Sequence, residues 1–304
     1  MSRFRRSPWL KILIAADLLF SPVLPAQPPL RVKNSEGVQL VVDDDGTQPV
    51  LRIVVPGVPD SEHAIFVLFP EHVTVRKHGA ADAEHLYVYH PGSAEEPPDW
   101  RQTGQSFQYE KDFPPGIHFL ARATLEDDGV LFHYEFANHS DIAYDMVTAI
   151  TDPRLMSIFQ DLRLERTYVH QSDGFELLAS GTPARLTMPL KDWLPARYMD
   201  SYTWPVPPRL VEHRSDGITY YNNSHPVDEP LLATLSQDYK WVVASFTRTT
   251  GNVWSNPELT CQHVDQDIPL PAGGHGILEV KVLVFEGSLS QVQQKVMKQR
   301  NHLR

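Results

Sequence analysis

Cysteine is nearly absent from this chain. Its 304 residues contain one, Cys261, so no disulfide can form within it and no cage of cysteines can hold zinc. Positive charge is also short. Lys and Arg total 27 against 38 Asp and Glu, a formal net charge of −11, which disfavours nucleic acid and anionic membrane as partners. Long apolar runs are missing: the one at Ile12–Phe20 is interrupted by Asp17 and is too short to span a bilayer. No Gly-rich phosphate loop, dinucleotide fingerprint or G-x-S-x-G elbow occurs. HExxH and EF-hand patterns are absent as well, which removes two common metal-site designs.

The first 26 residues read as an export signal. Arg3, Arg5, Arg6 and Lys11 give a basic start, the apolar run follows, and Pro25-Ala26 precede a cut before Gln27. Those residues carry four basic groups and one acid, so without them −11 becomes −14. An exported chain with one cysteine must hold together by its core alone. That suits a bacterial periplasm, or secretion from a bacterium, better than a eukaryotic secretory route.

Strand signals dominate the rest: short β-branched or aromatic runs closed by Gly, Pro, Asn or Asp. They recur about fifteen times between Val38 and Phe285. Asp128-Gly129 marks a hairpin turn between Ile117–Leu125 and Val130–Phe136. The one clear helix is the last segment, with Ser288 or Ser290 as cap and Leu289, Val292 and Val296 as its apolar stripe. The pattern predicts an all-β fold: a large antiparallel sandwich of two broad sheets with a short C-terminal helix. No linker-like break in composition appears, so residues 27–304 are expected to form one domain. Pro-rich loops at 90–100 and 204–209 are places where function tends to sit.

The stretch "DLRLERTYVH" (161–170) raises the question of chemistry. Read as a strand, Leu162 and Leu164 share a face with Arg166, Tyr168 and His170. Three explanations stand: the strand leaves the core after Leu164, Arg166 pairs with a buried acid, or the polar residues line a concave cleft. Pairing the two strands of the hairpin places His118, Arg122, His133 and Glu135 on one surface, opposite cleanly apolar faces. A third cluster follows Leu259 and Cys261, where His263 and Asp265 alternate onto one face. They could act as a base and its orienter, as metal ligands, or as a polar loop. Arg197, Tyr202, Trp204, Trp100 and Trp254 either stack on sugar rings or fold back onto the sandwich.

The segments "GIHFLARATLEDDGVLFHYEFANHSD" (116–141) and "PAGGHGILEVKVLVFEG" (271–287) look like the paired long strands and the closing strand of galactose-mutarotase-like supersandwich proteins. The resemblance covers residues 35–287. It implies a sugar cleft on a sheet face, in a superfamily that holds epimerases, lyase and hydrolase accessory domains, and members without activity. Epimerases of this kind use a His acid and a Glu base, but no residue here is matched to that pair, and a fold does not fix a function.

The expectation is an exported carbohydrate-active protein, a lyase, epimerase or hydrolase. His118, Tyr168, His170 and His263 would move protons. Arg122, Glu135, Arg166, Arg197, Trp204, Trp254 and Asp265 would hold the sugar. No cofactor is expected, with a divalent metal at a site of His118, His170, His263 and Asp265 as the alternative. A non-catalytic sugar-binding protein and a structural partner in the envelope are the competing readings.

Overall fold

The computed structural model describes residues 29–180, 227–249 and 252–304, together with the backbone of the strands Ala196–Asp200, Val211–His213 and Thr219–Asn222. The leader at 1–26, Tyr202, Trp204 and the loop at 204–209 lie outside the described residues, as does the side chain of Arg197.

The central feature is a nine-stranded sheet. Its middle is the sequence-predicted hairpin, Ile117–Glu126 and Gly129–Asn138, paired symmetrically about the turn so that His133 faces Arg122 and Ala137 faces His118. Burial alternates along Ile117–Glu126 without a break, as a strand with one covered face requires. Gly129 is obligatory at the turn. Its φ is 150°, and a Cβ there would meet the Val282 carbonyl oxygen at 2.0 Å.

His275–Glu286 pairs with the hairpin on one side and with Trp241–Thr247 on the other. Leu231–Leu235, Thr167–Gln171 and Gly174–Leu177 continue the sheet in that direction. Ser106–Phe113 and Arg101–Thr103 close the opposite edge.

Three smaller sheets face this one. The first runs Arg31–Lys33, Gln39–Val42, Val50–Val54, Ile65–Leu68, Asp152–Leu155. The second runs Ile268–Leu270, Tyr144–Ala149, Val73–Lys77, Glu84–Leu86. The third runs Val211–His213, Thr219–Asn222, Ala196–Asp200, Asn252–Ser255, His263–Asp265. Among the described residues all pairings are antiparallel except Ala196–Asp200 with Thr219–Asn222. The protein is thus all-β, with one broad layer and a divided second layer in place of two broad sheets.

One core joins the large sheet to the first two small sheets, through Phe69, Phe107, Tyr109, Phe119, Phe132 and Tyr134. The Phe69 ring lies 5.1 Å from Phe132 and 5.2 Å from Tyr134. A second cluster, including Val169, Leu232, Val253 and Val264, joins the large sheet to the third. On the outer side of the large sheet the helix Leu289–Gln299 buries Val292 and Val296. The Ser288 backbone N–H donates to Gln291 Oε1 at 2.9 Å and so closes the helix start. Among the described residues no helix is long and apolar enough to cross a membrane.

Candidate functional site

The three small sheets meet at one place, and charge collects there. Glu71 and His72 lie between Ile65–Leu68 and Val73–Lys77. Their backbone is held by Glu71 N–H to Ile150 O at 2.8 Å and Ile150 N–H to His72 O at 3.0 Å. Asp152 and Arg154 come from Asp152–Leu155 and share a face by alternation. His263 and Asp265 come from the third sheet, with Trp254 directly opposite His263 on the neighbouring strand.

Asp152 and His263 are each only 1% exposed. His263 Nε2 lies 3.2 Å from Asp152 Oδ1, off the line of a directed hydrogen bond, so the contact is chiefly Coulombic. Arg154 Nε holds the other Asp152 oxygen at 2.7 Å, and its Nη2 reaches Glu71 Oε1 at 3.1 Å. His263 Nδ1 faces Asp265 Oδ1 at 3.5 Å, and Nε2 lies 4.0 Å from Glu71 Oε2. The Trp254 ring stacks on the imidazole at 3.9 Å, while its Nε1 donates to Asp265 Oδ2 at 3.1 Å.

These neighbours set the protonation states. Burial alone would raise the Asp152 pKa, but His263 and Arg154 hold it well below the usual carboxylate range. Burial alone would make His263 neutral, yet Asp152 and then Asp265 raise it well above its ordinary value. Glu71 goes the other way from Asp152: burial and the Asp152 charge raise it, against the opposing pull of His263 and Arg154. His72 is pushed down to about 4 by burial and by the charges of His85 and His263.

Glu71 and His72 open onto a cavity of about 610 Å³, with His85, Tyr87, Tyr89 and Ser93 on its walls. Glu71 Oε2 and His72 Nδ1 are 3.9 Å apart. The His72 and His85 rings lie 4.3 Å apart, and His85 Nδ1 is hydrogen-bonded to Thr74 Oγ1 at 3.0 Å. Tyr87 is 40% exposed, an available aromatic face. Tyr89 is fixed by a hydrogen bond to Asp44, which also accepts from Trp100 Nε1 at 2.9 Å.

The residues singled out from sequence separate into four places. His118, Arg122 and Glu135 share the outer face of the large sheet, as the hairpin pairing predicts. There His118 meets Asp112 at 2.7 Å and Arg122 donates to Gln108 at 3.0 Å. Tyr168 and His170 lie five strands from Arg122, a spread of about 24 Å at the usual strand spacing. Tyr168 packs in the cluster under the helix. His170 is clamped by Asp228 at 2.6 Å and Gln293 of the helix at 2.8 Å.

Arg166 is a strap: Nη1 donates to Leu235 O and Nη2 to Gln160 O, both at 2.5 Å, with Asp161 at 3.8 Å. The strand begins only at Thr167, after Leu164 at φ 50°, so the assumed alternation over 162–166 does not occur. Trp100 folds back, its ring 4.7 Å from Tyr109. Only His263, Asp265 and Trp254 reach the charged junction. Glu71, His72, His85, Tyr87, Asp152 and Arg154 were not singled out. "TDPRL" carried the best available signal, since Asp152 and Arg154 alternate onto one face of an otherwise apolar strand.

Asp152, Cys261 and His263 each offer one ligand atom, all within 4.8 Å of one another. A divalent ion there would share Asp152 with the Arg154 guanidinium. It would also have to deprotonate a thiol that burial and the Asp152 charge push up to about 12. The trio is better described by its ion pairs.

In structure, the chain is similar to galactose mutarotase-like proteins. One, from Lactobacillus casei ATCC 334, matches at 10% identity and a TM-score of 0.49, over 85% of this chain and 100% of that one. Another, from Escherichia coli K12, carries a name that proposes an aldose 1-epimerase. It matches at 10% identity and a TM-score of 0.47, over 86% of this chain and 99% of that one. The α-N-acetylgalactosaminidase of Bifidobacterium bifidum, solved with GalNAc, matches at 10% identity and a TM-score of 0.48, over 90% of this chain but 39% of its own length. No family model and no curated protein matches the chain. Overlap this shallow transfers no residue role.

Proposed function

We propose that this protein is an exported carbohydrate-active enzyme whose sugar binds in the cavity beside Glu71 and His72. Glu71 acts as general acid, giving a proton to a sugar oxygen. His72 acts as general base, taking one from a sugar hydroxyl. The observation that carries the proposal is the opposite perturbation of two neighbours on one cavity wall. A carboxyl is held protonated to higher pH, and an imidazole 3.9 Å away is held neutral down to about pH 4. Pairs whose environments push their pKa values apart are the usual mark of acid–base assignment.

Arg154 and the Asp152–His263 pair position the Glu71 carboxyl. Tyr87 offers a face for the apolar side of a sugar ring. The carbohydrate-related names among the similar structures agree with this reading and carry none of its weight. Export is supported by the basic and apolar start of the chain, and the single cysteine fits a bacterial route better than a eukaryotic one.

The test is Glu71→Gln, assayed by proton NMR on a panel of reducing sugars and small glycosides. Turnover should fall at least about 100-fold, as expected for loss of a general acid, while ligand affinity stays within a few-fold. Wild-type activity should rise with pH through about 4, as His72 loses its proton. It should then fall as Glu71 ionises above the ordinary glutamate value, and that falling limb should be missing from the residual activity of the variant. A wild-type protein that binds sugars without converting any would leave the non-catalytic binder as the correct reading. Unchanged turnover in the variant would remove Glu71 from the mechanism.

A further inference from the structure

Two loops contribute walls to the cavity beside Glu71 and His72, and both are held by internal hydrogen bonds. The first, residues 43–49, joins Gln39–Val42 to Val50–Val54 and is closed at its base by Asp43 N–H to Val50 O at 2.9 Å. Within it, Asp44 Oδ1 accepts from Gly46 N–H and Asp45 Oδ1 from Thr47 N–H, each at 2.9 Å. Its far end is tied toward the acid: Pro49 O accepts from Phe69 N–H at 2.8 Å, two residues before Glu71. The second loop, residues 90–95, is wound around Glu95, whose Oε1 accepts from His90 N–H at 2.7 Å. The two loops are clasped at Gly46, whose carbonyl accepts from Glu95 N–H at 2.8 Å. Gly46 has φ 83°, and a Cβ there would meet Glu95 O at 2.0 Å, so the crossing needs glycine.

Three polar side chains of these loops line the cavity: Thr47, Gln48 and Ser93. Two are already engaged, Thr47 Oγ1 with Asp45 Oδ1 and Ser93 Oγ with His90 O. Gln48 is exposed, and its side-chain amide has no hydrogen-bond partner among the described residues. A primary amide sets a carbonyl acceptor beside an NH2 donor. That pair matches two neighbouring hydroxyls, one donating and one accepting, and such pairs are what a sugar ring presents.

We infer that Gln48 is a specificity-determining residue of the sugar site, reading a pair of adjacent hydroxyls from a position that the Gly46–Glu95 clasp fixes. The inference rests on the reading of this cavity as a sugar site. Binding and chemistry are held by different parts of the fold. Glu71 and His72 are fixed by their backbone pairing with Ile150, while Gln48 is fixed by contacts between loops. Loss of the Gln48 amide therefore weakens binding and blurs the choice of sugar, and leaves proton transfer intact. Because the loop is ordered in advance, little of the hydrogen-bond energy is lost to ordering it on binding.

The test measures kcat and KM on the full chain for the best sugar of the panel and for its epimers; where sugars bind without turnover, Kd by calorimetric titration takes the place of KM. In Gln48→Ala, KM should rise about five- to tenfold, the loss of one hydrogen bond, with kcat within about twofold of wild type. The preference for the best sugar over its epimers should shrink by a similar factor. Gln48→Glu keeps the shape and loses the donor, so it should behave like Gln48→Ala, which a space-filling role would not require. Gly46→Ala should raise KM in the same range, and the double variant should go no further, since both changes remove one contact. If Gly46→Ala does not fold, Glu95→Ala, which frees the loop 90–95 at the surface, should raise KM in its place. Unchanged KM in Gln48→Ala, wild-type behaviour of Gln48→Glu, or a fall in kcat at constant KM overturns the inference. Additive effects in the double variant overturn the role of the clasp. If the wild-type protein converts a sugar in a Glu71-dependent way and the Gln48 variants match it, this inference alone falls. If no sugar on the panel binds the wild-type protein, the sugar site and this inference fall together.

Discussion

Asp152 is the residue on which the site turns. Its carboxylate is the counter-charge for Arg154 and His263 at once, in a place where water is excluded. A buried ion pair is not strong evidence of stability, because desolvation offsets much of the Coulombic gain. Deleting one partner is different, since it leaves the other charge buried and alone. Asp152→Asn is therefore expected to destabilise the fold by about 3–5 kcal/mol in urea titrations, and a loss below about 1 kcal/mol would contradict the account.

The pH dependence follows from the two directions. The depressed Asp152 pKa adds stability that is complete above the unfolded value near ~3.9 and fades as pH drops through the folded one. The raised His263 pKa adds stability that is complete below ~6.5 and fades as pH climbs through its folded value. His263 and Asp265 were legible in sequence, because a polar pair alternating beside Cys261 stands out. Glu71 and His72 were not. Nothing in "FPEHVTV" distinguishes them from an ordinary turn before a strand; burial at the junction, with the charge of Asp152 on Glu71 and those of His85 and His263 on His72, gives them their character.

At the scale of elements, the hairpin and the 161–170 segment show when alternation can be trusted. Asp128-Gly129 pins the register, and every side chain from Ile117 to Asn138 then falls on its expected face. The same count fails at Arg166, because Asp161 builds a turn first. Its carboxylate accepts from the Glu165 and Arg166 N–H groups at 3.0 and 2.7 Å and from Thr167 Oγ1 at 2.9 Å. Leu164 enters the left-handed region within that turn and breaks the period. Of the three explanations for a polar end to that strand, a structural Arg166 fits best, although its firmest partners are carbonyls and not an acid. Arg166→Met should cost about 2–4 kcal/mol in stability, since charge-assisted hydrogen bonds are lost from buried carbonyls. It should leave sugar turnover within about twofold, because the side chain lies outside the cavity beside Glu71 and His72. A stable variant with lost turnover would return Arg166 to the active site.

At the scale of the molecule, the broad sheet was readable, but the junction of the three small sheets was not. Residues 71, 152 and 263 meet through pairings that no local pattern specifies. The same large sheet is tied to its helix by charge. Asp128, at the hairpin turn, takes Lys281 at 3.0 Å, Lys295 at 2.9 Å and Gln299 at 2.8 Å. Lys281 has a side chain only 1% exposed and depends on Asp128 and Glu126 for its counter-charge. Burial alone would raise the Asp128 pKa, but Lys281 and Lys295 overcome it and hold it at about 2. A depressed carboxylate stabilises the fold fully above its unfolded value near ~3.9 and loses that effect as pH falls toward the folded one. Thermal melts of wild type and Asp128→Asn should therefore differ most at neutral pH, with the variant lower, and the gap should narrow between pH ~4 and about 2. A gap that stays constant across that range would mean that Asp128 holds the helix by shape and hydrogen bonding, and that its charge is incidental to the docking.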